Sequence, residues 1–294
     1  MPAPPRSARR PGIAPALVAL LLGLVLLTAG CASLDTQQRR WIFQPAASPW
    51  AGGVTAAEGM DDVWIDFDST ATGRPARLHG LWHPRPDGTQ AGAPVLLYLH
   101  GARWDVTGSA RRVRRMQELG FNVLAIDYRG FGRSAPGELP SEQMAYEDAR
   151  AAWDWLAVQH PGAPRYIFGH SLGGAIAIDL AAQVPDEAGL IVEGSFTSVR
   201  DVFSQMRWGW LPLGPLITQR FDAQEKVARV GSPLLVVHGS EDRLIPPALG
   251  KALYERAASP KRWLLVEGGS HHNTNAVGQG AYREALRELF GLAS

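Results

Sequence analysis

The chain is 294 residues long, 46% hydrophobic and 19% charged, with a formal net charge of +1. That apolar share is enough for a sizeable core and excludes an intrinsically disordered chain, while the near-neutral balance excludes a protein that holds nucleic acid through a broad basic surface. The length suits one large α/β domain better than two, and no internal repeat divides it.

At the N-terminus Arg6, Arg9 and Arg10 precede an uncharged apolar run from Ile13 to Leu27, then Thr28, Ala29 and Gly30 and the single cysteine, Cys31. A basic start, an apolar run and small residues before a cleavage point form the grammar of an export signal over residues 1–30. The run is shorter than the roughly 20 residues a membrane-spanning helix needs, and an uncleaved anchor is the alternative. Leu27-Thr28-Ala29-Gly30-Cys31 resembles the bacterial lipobox, which implies that Cys31 is lipidated and becomes the new N-terminus. Ala32 and Ser33, with no aspartate after the cysteine, imply the outer membrane, facing the periplasm. A lone cysteine can form no internal disulfide in an oxidising compartment, so lipidation also accounts for its presence. Loss of residues 1–30 removes three of the 29 basic residues and none of the 28 acidic ones, taking the balance to −2.

Residues 31–60 carry Pro45, Pro49, Gly52, Gly53 and several alanines and read as a tether with little regular structure, although Trp41, Ile42, Phe43 and Trp50 need something apolar to pack on. The domain proper spans 61–294. Val63 to Phe67 and Leu78 to Trp82, separated by the turn Thr70-Ala71-Thr72-Gly73, are expected to pair antiparallel. Val95 to Leu99 is apolar without alternation, as in a strand buried on both faces of a parallel sheet, and runs into His100-Gly101, where His100 reads as a loop anchor. Trp104, just beyond, is a candidate wall of an acyl pocket. Arg111, Arg112, Arg114 and Arg115 read as a solvated face of the next helix, with contact to anionic membrane lipid or an acidic substrate as the alternative. Phe121 to Ile126 is another buried strand, and Asp127 at its end should pin the following turn through backbone or Arg129. Ser141 should cap a helix reaching His160, with Met144, Ala145, Ala149, Ala152, Trp153 and Leu156 on its core stripe.

Tyr166 to Phe168, then Gly169-His170-Ser171-Leu172-Gly173, then an alanine-rich run to Ala182 read as strand, sharp turn and helix. A serine at the tip of such a turn sits in strained backbone, which requires small residues two before and two after it. Ser171 is therefore a candidate nucleophile, and the Leu172 amide, at a helix N-terminus, a candidate donor to a reacting oxyanion. A serine of ordinary pKa is a poor nucleophile, so the chain must also supply an acid and a histidine base, in that order after the serine. Beyond the strand Leu190 to Glu193, residues 196–231 are too long for an ordinary connection and too apolar for a solvated loop. They read as a cap over the site, with Trp208 and Trp210 as candidate substrate-facing walls and Phe203 and Phe221 completing the core. Leu234 to Val237 leads to Asp242, the preferred acid over its neighbour Glu241. Trp263 to Val266 leads to His271 and His272; distance from the strand favours His271 as base, with His272 the other candidate.

With these motifs placed, residues 61–294 resemble the α/β-hydrolase superfamily. Asp127-Tyr128-Arg129-Gly130-Phe131-Gly132-Arg133-Ser134, Gly169-His170-Ser171-Leu172-Gly173-Gly174, Phe196-Thr197-Ser198 and Gly239-Ser240-Glu241-Asp242 are similar to segments of small membrane-associated serine hydrolases, among them abhydrolase-domain proteins related to depalmitoylating thioesterases. The resemblance implies a mostly parallel sheet with helices on both faces, and a second oxyanion donor at the Ala102 amide. Ala102-Arg103 departs from the group, which often has asparagine there. A serine at the elbow argues against the aspartate chemistry of dehalogenases and epoxide hydrolases.

The expectation is an exported, lipid-anchored serine hydrolase in which Ser171, His271 and Asp242 cleave carboxylic esters or thioesters of a hydrophobic acyl group. Its substrate would be a small-molecule or lipid-like acyl compound, with no cofactor, no nucleic acid and no metal, since His271 and His272 alone make no ligand set. A serine peptidase or amidase on the same fold and a non-catalytic ligand-binding lipoprotein are the alternatives.

Overall fold

The computed structural model describes residues 17, 20, 30, 32–45, 51–86, 92–206, 209–258 and 260–292. Cys31 and Trp208 lie outside the described residues. The strands are β1 (Asp61–Ser69), β2 (Arg74–His83), β3 (Val95–Leu99), β4 (Asn122–Ile126), β5 (Arg165–His170), β6 (Glu187–Glu193), β7 (Leu234–Gly239) and β8 (Lys261–Val266). They make one sheet in the order β1-β2-β4-β3-β5-β6-β7-β8. β1 pairs antiparallel with β2 and β2 with β4, and the other pairs are parallel.

The helices are α1 (residues 32–43), α2 (Ala51–Ala56), α3 (Ala110–Glu118), α4 (Glu142–Gln159), α5 (Leu172–Ala181), α6 (Val199–Ser204), α7 (Pro247–Arg256), α8 (Thr274–Val277) and α9 (Gln279–Phe290). The unalternated apolar strands follow from helices on both faces. Val95, Leu97 and Leu99 of β3 join a core with α4 and α5, and Leu96 and Tyr98 join the opposite one with α3 and α9. Ser141 caps α4 by accepting from the Met144 amide, and the six residues of the expected stripe are all buried.

Two expectations change. The tether is regular at both ends: α1 and α2 are helical, because the prolines of this stretch fall between them and Leu34 to Phe43 contains no glycine or proline. Phe43 is fully buried, in edge-on contact with Phe131 and Phe221, and Arg39 donates to the Pro140 carbonyl at 2.8 Å. The expected cap is also divided. Phe221, Ala223, Val227 and Val230 belong to the main core, while Met206, Trp210, Leu213 and Leu216 remain at the surface.

Candidate active site

β5 ends at the turn that carries Ser171, whose backbone is left-handed in φ (φ 55°, ψ −119°). α5 begins at the next residue. Two contacts hold the strained residue: its amide donates to the Glu193 carbonyl at 2.9 Å, and Gly173 lets α5 approach β3. A Cβ on Gly173 would run into the carbonyl oxygens of Leu99 and His100. Gly173→Ala should therefore cost more than about 3 kcal/mol, read as a lowered urea midpoint.

β7 and β8 deliver the two partners. His271 Nε2 lies 3.0 Å from Ser171 Oγ, and His271 Nδ1 lies 2.7 Å from Asp242 Oδ2. A carboxylate only accepts, so Nδ1 carries the proton and Nε2 is free to accept from the serine hydroxyl. Asp242 Oδ1 accepts from the Leu244 and Ile245 amides at 2.9 and 2.8 Å, and His238 Nε2 stands 3.3 Å from Oδ2. Burial pushes the Asp242 carboxyl up, but hydrogen bonds from His238, His271 and the backbone outweigh it and hold the group below the usual carboxylate range. A depressed folded pKa means that this contribution to stability is present above the ordinary carboxylate pKa. It is lost as pH falls through the depressed value.

The loop after β3 lies against the nucleophile: a Cβ on Gly101 would stand 3.1 Å from Ser171 Cβ. His100 fixes this loop, with Nδ1 2.7 Å from the Gly101 carbonyl and its ring packed against Tyr128 and Phe131. The Ala102 amide follows Gly101 in this loop, and the Leu172 amide is the first of α5. Asp127 accepts from the Val106 amide at 2.6 Å and faces His79, while Arg129 pairs with Asp148 and Glu147 instead.

Arg112 departs from the expected solvated face. Its Nε donates to Glu193 Oε1 at 3.0 Å, and its Nη2 donates to the His271 and His272 carbonyls at 3.1 and 3.0 Å. Glu193 also accepts from the Tyr282 hydroxyl. Burial disfavours the Arg112 cation most strongly, but the Glu193 charge, the Tyr98 and Tyr282 phenols and the hydrogen bond to Glu193 together outweigh it and raise its pKa. Burial, and then the Arg112 charge, holds the neighbouring His170 imidazole well below its usual range. A buried ion pair thus grips the backbone of the histidine loop from beneath.

His272 offers Arg112 its carbonyl and meets the His271 ring edge-on at 5.3 Å, but it is exposed and has no hydrogen bond to Ser171 or Asp242 among those of the described residues. His272→Ala should leave ester hydrolysis within about threefold, whereas His271→Ala should cost at least about three orders of magnitude; kcat/KM on one ester separates them. Trp104 and Trp210 are solvent-exposed, at 47% and 74%, and so do not wall a closed pocket. Two surface cavities of about 400 and 470 Å³ are lined from β1 and β2 and include no residue of the Ser171–His271–Asp242 chain. Among the described residues no cluster of His, Cys, Asp or Glu is arranged to hold a metal ion.

A family described as "Serine aminopeptidase, S33" matches residues 91–220. An uncharacterised protein of Mycobacterium tuberculosis is 34% identical over 276 residues, covering 93% of this chain and 92% of that protein. The lysophosphatidylserine lipase ABHD12 of Danio rerio is 32% identical over 217 residues, covering 62% of this chain and 56% of the lipase, so the chain spans about half the length of that relative. An esterase of Pyrococcus furiosus superposes with a TM-score of 0.63 at 18% identity, over 84% of this chain and 98% of the esterase. The chain belongs to the α/β-hydrolase superfamily, and its class of activity is that of a hydrolase.

Proposed function

We propose that the chain is a serine hydrolase that cleaves carboxylic esters or thioesters of hydrophobic acyl groups through an acyl-enzyme. The observation that carries this reading is the unbroken hydrogen-bonded series Ser171–His271–Asp242, with the serine held at the strained tip of the β5–α5 turn. Ser171 Oγ attacks the acyl carbonyl while His271 Nε2 takes its proton, and Asp242 stabilises the imidazolium that forms. The amides of Ala102 and Leu172 receive the oxyanion. His271 then returns the proton to the departing alcohol or thiol, and water, activated by the same imidazole, releases the acid.

The ABHD12 relatives favour a lipid-like acyl substrate, and the S33 description makes an amide the natural comparison. The N-terminal pattern supports export and anchoring through lipidated Cys31 in the outer membrane, facing the periplasm. Cys31→Ser would then abolish lipid modification and processing; unchanged electrophoretic mobility together with an unchanged membrane fraction contradicts the anchor. The hydrolase reading is tested with p-nitrophenyl esters from acetyl to palmitoyl, matched thioesters and an aminoacyl anilide. Turnover of esters or thioesters above the anilide supports it, preference for the anilide moves the chain to the amidases, and no turnover of any moves it to the binding proteins.

A further inference from the structure

Six of the exposed large apolar side chains fall on two segments that touch one another. Leu34 and Trp41 stand on α1, and Met206, Trp210, Leu213 and Leu216 follow α6; Trp210 is 74% and Leu216 52% exposed. The two groups adjoin. Leu34, Gln38 and Trp41 fall on one helical face, and Gln38 in its middle donates to the Leu216 carbonyl at 2.7 Å and accepts from the Thr218 amide at 2.8 Å. Asp35 accepts from Thr218 Oγ1 and Gln219 Nε2 at 2.7 and 2.9 Å, locking α1 against the segment.

The same helix reaches the reacting end of the sheet. The Phe43 carbonyl accepts from the Arg103 amide at 2.9 Å, and Gln44 Oε1 accepts from Arg103 Nε at 2.8 Å. Arg103 follows Ala102 in the loop that borders Ser171, and the 206–216 segment follows the end of β6. The apolar edge is therefore on the side of the sheet that carries the nucleophile.

A contiguous exposed patch of this kind marks a surface that something apolar covers. The sequence identifies the occupant. The uncharged run Ile13–Leu27 ends five residues before the first residue of α1, and between Ser204 and Ile217 the only charged residue is basic, Arg207. An inserted upstream run or an acylated Cys31 would each bring lipid to the start of α1. Tryptophans such as Trp41 and Trp210, apolar with one polar N–H, suit the headgroup boundary, and the absence of acidic residues from the 204–217 stretch suits an anionic leaflet.

We infer that α1, Met206 and residues 209–216 form a bilayer-docking face that presents the Ser171 opening to lipid, so that the acyl substrate is one resident in the membrane. The second half rests on the hydrolase reading above, and the first does not. The full chain reconstituted into phosphatidylcholine–phosphatidylglycerol vesicles with brominated acyl chains should show quenched tryptophan emission. Leu213→Ser/Leu216→Ser should lose most of that quenching. The variant should also hydrolyse a long-chain ester embedded in vesicles at least roughly tenfold more slowly than the parent, while hydrolysing soluble p-nitrophenyl acetate within about twofold. A parent without quenching overturns the docking face. Equal rates for parent and variant on the embedded ester overturn delivery from the membrane. A quenched parent that turns over neither ester preserves the docking face and removes the hydrolase reading instead.

Discussion

Ser171→Ala is expected to lower kcat/KM for an acyl ester by on the order of four to six orders of magnitude, with little change in the urea unfolding midpoint. The hydroxyl supplies the nucleophile, and among the described residues Ser171 Oγ is the hydrogen-bond partner of His271 Nε2. The fold has no need of it: Ser171 is joined to β6 through its backbone amide, which alanine retains. Alanine at φ 55° is strained, but so is the serine it replaces. A variant that unfolds early, or one that keeps more than about a hundredth of the activity, would contradict this division between catalysis and structure.

The second large effect belongs to Arg112. Arg112→Met removes the guanidinium from Glu193 and leaves a buried carboxylate partly uncompensated, which should cost about 3–5 kcal/mol in urea unfolding. The same substitution removes the donors to the His271 and His272 carbonyls, so kcat should fall by about tenfold or more even at temperatures where the variant is fully folded. Arg112→Lys restores a positive charge without the planar fork that bridges three acceptors. It should recover more of the stability than of kcat, with KM near that of the parent. If lysine restores both equally, Arg112 acts on stability alone and does not position His271.

The nucleophile turn was legible because its requirements are local. A strand, small residues around Ser171 and a helix start lie within one short stretch, and the chain order of acid and histidine then pointed to Asp242 and His271. His271 could be preferred over His272 only by distance along the loop, and the structure adds the reason: Arg112 takes the carbonyls of both, while the His271 ring alone is turned between Asp242 and Ser171.

What sequence could not show depends on partners far along the chain. Arg112 sits in an arginine-rich run that looks like any solvated helix face, and its acceptors are 81, 159 and 160 residues away. The helix α1 looked like a tether because its packing partners, Phe131 and Phe221 around Phe43 and the Leu216–Gln219 stretch along its length, have no local trace. Apolar side chains are spread along the whole 196–231 stretch, with no sequence pattern that sorts them into core and surface. Only burial distinguishes Phe221 in the core from Trp210 at the surface.

The most direct measurement is covalent labelling of the full chain with a serine-directed fluorophosphonate, followed by peptide mass spectrometry and an ester assay on the same sample. The account predicts one adduct, on Ser171, formed in step with loss of ester hydrolysis and suppressed by His271→Ala. Hydrolysis that persists with Ser171 labelled, or an adduct on another serine that tracks the loss of activity, would contradict it.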